Sequence, residues 1–171
     1  DLACEEFTAS AALFHSRFAT NARPNPEKVQ PFGKYANNGE NNADEKWREF
    51  LEKDTQVKRV LELEQIEVKG YSDSAIVAMV TTYLSLLGLA PEVIVSIFFR
   101  SHYPADRTAS SLYYHHMGDL PIEGPTYGMF VFGRKFILAM DPNNLRPQRG
   151  YINDDEIYSG SEWVGPFKGQ P

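Results

Sequence analysis

The stretch 74–99 is the most apolar part of the sequence and carries a single charge, Glu92. Gly88 and Pro91 interrupt it near its midpoint and leave about twelve mainly apolar residues on either side. A membrane-spanning helix needs about twenty apolar residues, and a lipid-facing break in its backbone is costly. The many β-branched and aromatic residues therefore predict two buried strands over residues 75–99. A pair of core helices and a kinked membrane helix stay open as alternatives.

A second apolar segment has the pattern of a β-hairpin. Residues 130–132 are Phe-Val-Phe, residues 136–138 are Phe-Ile-Leu, and Gly133 and Arg134 lie between the two runs. Two apolar runs separated by a short loop that contains glycine are typical of paired antiparallel strands. With the two strands expected in the apolar stretch, the sheet would hold five or six strands in mostly sequential order.

The N-terminal half of the chain has the patterns of helices. Apolar residues recur every three or four positions within residues 1–20, and acidic residues fill the first turn of a segment over residues 42–54. Residues 57–69 are ambiguous, since they fit either a helix or an alternating strand. We expect the helix to end near residue 60 and a strand to follow.

These elements predict the α+β fold class. N-terminal helices would pack on a curved, mainly antiparallel β-sheet in the form of a meander, with long irregular arms. The order of two helices followed by a strand meander resembles the nuclear-transport-factor-like and cystatin-like folds, which share that order of elements.

Length and composition predict a single domain over residues 1–171 with two irregular arms. Segment 21–43 is rich in asparagine and proline, and segment 141–171 is a polar tail with many prolines and glycines. Ordering a residue costs about 1–2 kcal/mol of backbone entropy, and the first arm has few large apolar side chains to offset that cost. We expect the first arm either to stay mobile in the free protein or to be held by a partner, a ligand or the C-terminal tail.

The formal net charge of −6 argues against nucleic acid or an anionic membrane surface as the main partner. The single cysteine, Cys4, excludes a disulfide within the chain. No targeting signal is recognisable, so the sequence assigns no compartment, and the abrupt start fits a processed mature chain. No metal or phosphate-loop signature is present either, so we expect no cofactor.

The segment 100–119 holds the most conspicuous cluster of titratable side chains. Histidine with an acidic partner can exchange protons near neutral pH. Adjacent residues of a strand point to opposite faces, so only one of His115 and His116 would line a pocket. The candidate catalytic residues are His102, His116, Asp119 and Asp141, although the Asp-Pro-Asn-Asn run that begins at Asp141 is also typical of a turn.

Tyrosine and phenylalanine side chains of the expected sheet could line an aromatic pocket. The candidate ligand-binding residues are Tyr83, Phe98, Tyr114 and Tyr127. The first functional hypothesis is a soluble protein that binds an apolar small molecule or peptide, with isomerase-like or dehydratase-like acid–base chemistry if it catalyses a reaction. The alternatives are a non-catalytic subunit of a larger assembly or oligomer, with another protein as partner, and a membrane-associated subunit with residues 74–99 in lipid.

Overall fold

The computed structural model describes residues 11–15, 29–42, 44–63, 71–99, 122–152, 154 and 157–161. One strand, four helices and four further strands follow one another along the described chain in an α+β fold with antiparallel strands, as the sequence predicts. The elements are β1 (Tyr35–Gly39), α1 (Asp44–Lys53), α2 (Thr55–Leu63), α3 (Asp73–Leu86), α4 (Pro91–Phe98), β2 (Thr126–Phe132), β3 (Lys135–Met140), β4 (Arg149–Ile152) and β5 (Ile157–Gly160).

Strands β1, β2 and β3 form one antiparallel sheet with β2 at its centre. Strand β1 pairs with β2 from Tyr35 opposite Phe130 to Gly39 opposite Thr126. The predicted hairpin is confirmed as β2 and β3, and its turn includes Gly133 at φ +61°, a conformation that suits glycine. Strands β4 and β5 form a separate two-stranded sheet.

Helix α1 confirms the prediction for the segment 42–54, and Trp47 and Leu51 are fully buried on its inner face. The side chain of Asp54 accepts hydrogen bonds from the backbone N–H groups of Gln56 and Val57, which caps the start of α2. Helix α2 then runs through Leu63. This end is close to the expected one near residue 60, and the strand expected to follow falls on residues 64–70, which lie outside the described residues, so that strand stays a prediction.

The stretch 75–99 folds into helices α3 and α4, so the prediction of two strands is wrong. Ser72 accepts a hydrogen bond from the N–H of Ala75 and caps α3. Gly88 at φ +82° follows the end of α3, and Pro91 occupies the first position of α4, where its missing N–H is tolerated. Most side chains of α3 are buried, and this burial overrides the weak strand preference of the β-branched residues.

None of the described helices is long and apolar enough to cross a membrane. The apolar character of α3 and α4 is instead explained by packing against the sheet and helix α1. Trp47 of α1 and Phe98 of α4 have ring centroids 4.9 Å apart, and Phe98 lies 6.1 Å from Phe130 of β2. Tyr35 of β1 completes this core with its ring 4.7 Å from that of Phe130.

Both predicted arms contain regular structure. Strand β1 lies within the segment 21–43, and the β4–β5 hairpin lies within the segment 141–171. Pairing with β2 stabilises β1 in the described part of the first arm, residues 29–42. Conversely, residues 11–15 of the predicted N-terminal helix have no regular secondary structure. Because β1 precedes the helices and no meander covers 75–99, the order of elements differs from the expected one. The single domain stays a prediction.

Candidate functional site

The chain leaves β1 in very close contact with the segment that leads into β2. A Cβ atom at Gly39 would lie 1.9 Å from the carbonyl oxygen of Pro125, and one at Gly124 would lie 2.7 Å from that of Glu40. The Glu40 N–H also donates to the Pro125 carbonyl at 3.2 Å. Only glycine permits this approach of two backbones, and the approach fixes the position of the residues that follow β1.

Asp73, at the start of α3, directs its carboxylate to this same place. Its Oδ2 accepts a hydrogen bond of 3.0 Å from the backbone N–H of Asn41, and its Oδ1 accepts one of 2.7 Å from the N–H of Ser74. The carboxylate also lies at the positive end of the helix dipole. Asp73 is half-buried, so part of its surface stays accessible to a ligand.

Amide and hydroxyl groups surround this carboxylate on the β1 side. Ser74 lies within hydrogen-bonding distance of both Asn37 Oδ1 and Asp73 Oδ1. Gln30 donates to the Ser74 hydroxyl at 3.2 Å, and its Oε1 accepts the backbone N–H of Asn37 at 2.7 Å. The hydrogen bonds form a closed ring that links the start of α3 to β1.

A second set of buried side chains lies on the β2 side of Asp73. The Thr126 hydroxyl donates to Asn41 Oδ1 at 3.1 Å. Tyr35 is fully buried beside them, and burial raises the pKa of its hydroxyl well above the ordinary value. The negative charge of Asp73 raises the pKa further, whereas the nearby Asn41 and Thr126 side chains partly offset the increase. The phenol therefore stays neutral, and no second negative charge develops beside Asp73.

We call Asp73, Ser74, Asn37, Asn41 and Thr126 the Asp73 site. An accessible carboxylate among amide groups can bind an ammonium group and the polar parts of a small amino-acid ligand. The hydroxyls of Ser74 and Thr126 are buried and hydrogen-bonded, which suits positioning better than nucleophilic attack. Within the described ranges, no group of three histidine, cysteine or acidic residues could hold a metal ion.

Four of the candidate site residues, His102, Tyr114, His116 and Asp119, lie outside the described residues. Asp141 is buried, and its carboxylate accepts hydrogen bonds from the N–H groups of Asn143 and Leu145. This geometry is the turn that the Asp-Pro-Asn-Asn run predicts. The Asp141 N–H donates to the Thr126 carbonyl at 2.9 Å, so the turn lies next to the Asp73 site. A catalytic role of any of these residues stays a prediction.

The three candidate ligand-binding residues within the described ranges do not line one pocket together. Tyr83 and Phe98 pack in the helical part of the core, where Phe50 and Trp47 are their ring neighbours. Tyr127 lies in β2, and its hydroxyl is 3.0 Å from the Ser159 hydroxyl. Burial raises the pKa of the Tyr127 hydroxyl, and the contact with Ser159 partly offsets the shift. Their individual roles in ligand binding stay predictions.

Residues 1–168 match the family described as class-II glutamine amidotransferases. Because the match covers nearly the whole chain, the chain belongs to this family. Relatives that it resembles include glutamate synthases. The chain is 31% identical over its full length to a ferredoxin-dependent glutamate synthase of Pyropia yezoensis and covers 12% of that protein.

Two further relatives extend the comparison to fungi and bacteria. The chain is 32% identical over 95% of its length to an NADH glutamate synthase of Saccharomyces cerevisiae, of which it covers 8%. It is 27% identical over 96% of its length to the large chain of an NADPH glutamate synthase of Bacillus subtilis, of which it covers 12%. The chain thus corresponds to a small part of much larger proteins, which is consistent with a place in a larger assembly. The non-catalytic character predicted for such a subunit is wrong, because the chain belongs to a family of amidotransferases.

Membership of this family corrects the first functional hypothesis. An apolar ligand and isomerase-like or dehydratase-like chemistry are wrong, because the family acts on the amide of glutamine, a polar amino acid. The aromatic pocket is wrong for the same reason, and the described rings of Trp47, Phe98 and Phe130 fill the core instead.

The Asp73 site was missed because its residues occur in two segments that have the composition of turns. Asn37 and Asn41 lie in the run Tyr-Ala-Asn-Asn-Gly-Glu-Asn-Asn, and Asp73 lies in Gly-Tyr-Ser-Asp-Ser. Asparagine, glycine, serine and aspartate are the ordinary residues of turns. The one available signal was the density of asparagine directly before a helix, in the segment 21–43.

Proposed function

We propose that this chain contributes the glutamine-binding part of a unit that releases the amide nitrogen of glutamine. In that reaction water adds to the carboxamide carbon, the C–N bond breaks, and ammonia leaves while glutamate remains. Membership of the class-II glutamine amidotransferase family supports the substrate and the reaction type. The hydrogen-bonding geometry of the Asp73 site supports the part that this chain plays.

The accessible carboxylate of Asp73 is the single observation that carries the proposal. Glutamine brings an α-ammonium group, an α-carboxylate and a side-chain carboxamide, and an ammonium group is best recognised by a carboxylate. Backbone N–H groups donate one hydrogen bond to each oxygen of Asp73, which fixes the plane of the carboxylate. A carboxylate oxygen has two lone pairs, so Oδ2 can still accept an N–H from a bound ammonium.

The amide groups around Asp73 fit the rest of an amino-acid substrate. Asn38 and Gly39 lie at the partly exposed end of β1, between the buried residue Asn37 and the exposed residue Glu40. Backbone and side-chain N–H groups at such a strand end can hydrogen-bond the α-carboxylate or the carboxamide oxygen of glutamine. Hydrogen bonds of this kind to the carboxamide oxygen would also stabilise the negative charge that develops there during hydrolysis.

We propose further that the full-length protein uses this nitrogen to make glutamate. The names of the relatives support that proposal, and they differ in the electron donor, which is ferredoxin, NADH or NADPH. The partners of this chain would then be other parts of the same large protein. Nothing in the Asp73 site favours one of these electron donors.

Substitution of Asp73 by asparagine tests the proposal. The experiment follows the release of glutamate and ammonia from glutamine by the full-length protein. Loss of a partly desolvated charge pair to a ligand costs about 2–3 kcal/mol, so we expect kcat/KM for glutamine to fall by roughly 30- to 150-fold, mainly through KM. Asp154→Asn is the matched control, because Asp154 is exposed, and it should match the wild-type protein.

Equal activity of Asp73→Asn and wild-type protein would contradict the binding role of Asp73. A wild-type protein that is folded but releases no ammonia from glutamine would contradict the proposed reaction itself. Circular dichroism of each variant separates loss of binding from loss of folding.

A further inference from the structure

Asn41 connects two buried interactions through a single residue. Its side-chain Oδ1 accepts the Thr126 hydroxyl at 3.1 Å, and its backbone N–H donates to Asp73 Oδ2 at 3.0 Å. Thr126 is fully buried and Asn41 is 5% exposed. Burying a polar side chain is unfavourable unless it is hydrogen-bonded, and the hydrogen bond between Thr126 and Asn41 satisfies both of these buried oxygens.

The backbone pairing of β1 with β2 does not by itself explain the contact between Asn41 and Thr126. The paired residues of β1 and β2 end with Gly39 opposite Thr126, and the backbone bonds beyond that point come from Glu40 and Asn42. The backbone N–H of Asn41 is the one directed to Asp73 instead. Asn41 is thus anchored by Thr126 through its side chain and by Asp73 through its backbone N–H.

We propose that Asn41 and Thr126 form a positioning pair that holds the Asp73 carboxylate in the orientation needed to bind the α-ammonium group of the substrate. This inference rests on the proposed function of Asp73. The pair touches Asp73 and does not need to touch the substrate. Its loss would let the carboxylate turn away from the ammonium, whereas the parts of the substrate that lie elsewhere would bind as before.

Two substrates, glutamine and glutaramic acid, distinguish a role of Asn41 and Thr126 in positioning Asp73 from a general structural role. Glutaramic acid is glutamine without the α-amino group, so it keeps the carboxamide and the carboxylate but has nothing for Asp73 to bind. The readout is the ratio of kcat/KM for glutamine to kcat/KM for glutaramic acid. A defect in folding or in the reacting groups lowers both values and leaves the ratio unchanged.

Thr126→Val removes the hydroxyl at nearly constant shape. We expect the ratio to fall about fivefold, the effect of one hydrogen bond, through a higher KM for glutamine. Thr126→Ser keeps the donor and should restore most of the ratio. Thr81→Val is the matched control, because Thr81 is equally buried and its hydroxyl has no hydrogen-bond partner among the described residues. It should leave the ratio unchanged.

Asn41→Ala removes the same hydrogen bond from the other side and keeps the backbone N–H. It should lower the ratio as Thr126→Val does, and it serves as the test if Thr126→Val does not fold. Equal loss of activity on both substrates in Thr126→Val or Asn41→Ala would overturn the positioning pair.

Asp73→Asn separates failure of this inference from failure of the proposed function. If Asp73→Asn lowers the ratio and neither Thr126→Val nor Asn41→Ala does, the positioning pair is overturned while the role of Asp73 stands. If Asp73→Asn leaves the ratio unchanged, Asp73 does not bind the ammonium and both proposals fall.

Discussion

The first turn of helix α3 is held by hydrogen bonds, whereas the turns that follow it are held by apolar packing. In the first turn, Asp73 and Ser74 exchange hydrogen bonds with groups of the β1 segment. In the following turns, Ile76, Val80 and Leu84 are buried by apolar contacts alone. One helix thus contributes a binding group at its N-terminus and a large part of the core along its length.

This fold buries polar groups where hydrogen-bonding partners lie within reach. The first turn faces the end of β1, where the close approach at Gly39 brings backbone N–H groups within reach of Asp73. The later turns face helix α1 and the sheet, where side chains offer apolar surface. Stability is therefore expected to depend on the later turns, and recognition of the substrate on the first one.

The largest effect on stability should come from the body of α3. Ile76 is fully buried, and Ile76→Ala should lower the free energy of unfolding by about 2–5 kcal/mol through lost burial and a cavity. Leu86→Ala is the control on the same helix, because Leu86 is 70% exposed, and it should change stability by less than about 0.5 kcal/mol. Urea unfolding measures both. A similar loss in the two variants would show that α3 is not packed as described.

Smaller effects should come from two buried threonines, Thr126 of β2 in the Asp73 site and Thr81 in the later turns of α3. Thr126→Val leaves Asn41 Oδ1 without its donor and should lower the free energy of unfolding by about 1–3 kcal/mol. Thr81→Val removes a buried hydroxyl that has no partner in the described structure, so its stability should be unchanged or higher. Thermal unfolding of the two variants checks the comparison. Destabilisation by Thr81→Val would mean that the body of α3 also depends on polar contacts.

The smallest effect should come from a surface pair outside both regions. Lys135 Nζ lies 2.6 Å from Glu92 Oε1, and the hydrogen bond from Lys135 lowers the pKa of Glu92. Both side chains are largely exposed, so Glu92→Gln should lower the free energy of unfolding by about 0.5 kcal/mol or less at neutral pH.

The sign of its pH dependence follows from the lowered pKa. The contribution is fully present above the pKa of glutamate in the unfolded chain, and it is lost as the pH falls through the lower pKa in the folded chain. Urea unfolding at neutral and at acid pH should therefore show the difference between wild-type protein and Glu92→Gln disappear at acid pH. A difference that grows on acidification would contradict this assignment.

Elements with clear local signals could be predicted from the sequence. Helix α1 begins among acidic residues and has Trp47, Phe50 and Leu51 at helical spacing. The β2–β3 hairpin has two apolar runs on either side of Gly133. In both cases the local pattern and the tertiary contacts favour the same structure.

Helices α3 and α4 could not be predicted in this way, because residues buried on most sides lose the alternation that distinguishes a helix from a strand. The Asp73 site was hidden for another reason. Asn41 and Thr126 are 85 residues apart in the sequence, and their contact depends on the pairing of β1 with β2. No local pattern encodes such a contact, and each residue type is common in turns.

A structure of the full-length protein with bound glutamate would show whether Asp73 binds the α-ammonium group. Glutamate is the product of the proposed reaction and keeps the α-ammonium group, so it should occupy the same site without being hydrolysed. We predict that its α-nitrogen lies about 2.7–3.2 Å from Asp73 Oδ2, with Asn41 still donating to the same carboxylate. Glutamate bound with its α-nitrogen against a different acidic residue, and with Asp73 out of contact, would contradict the role of Asp73 in binding the α-ammonium group.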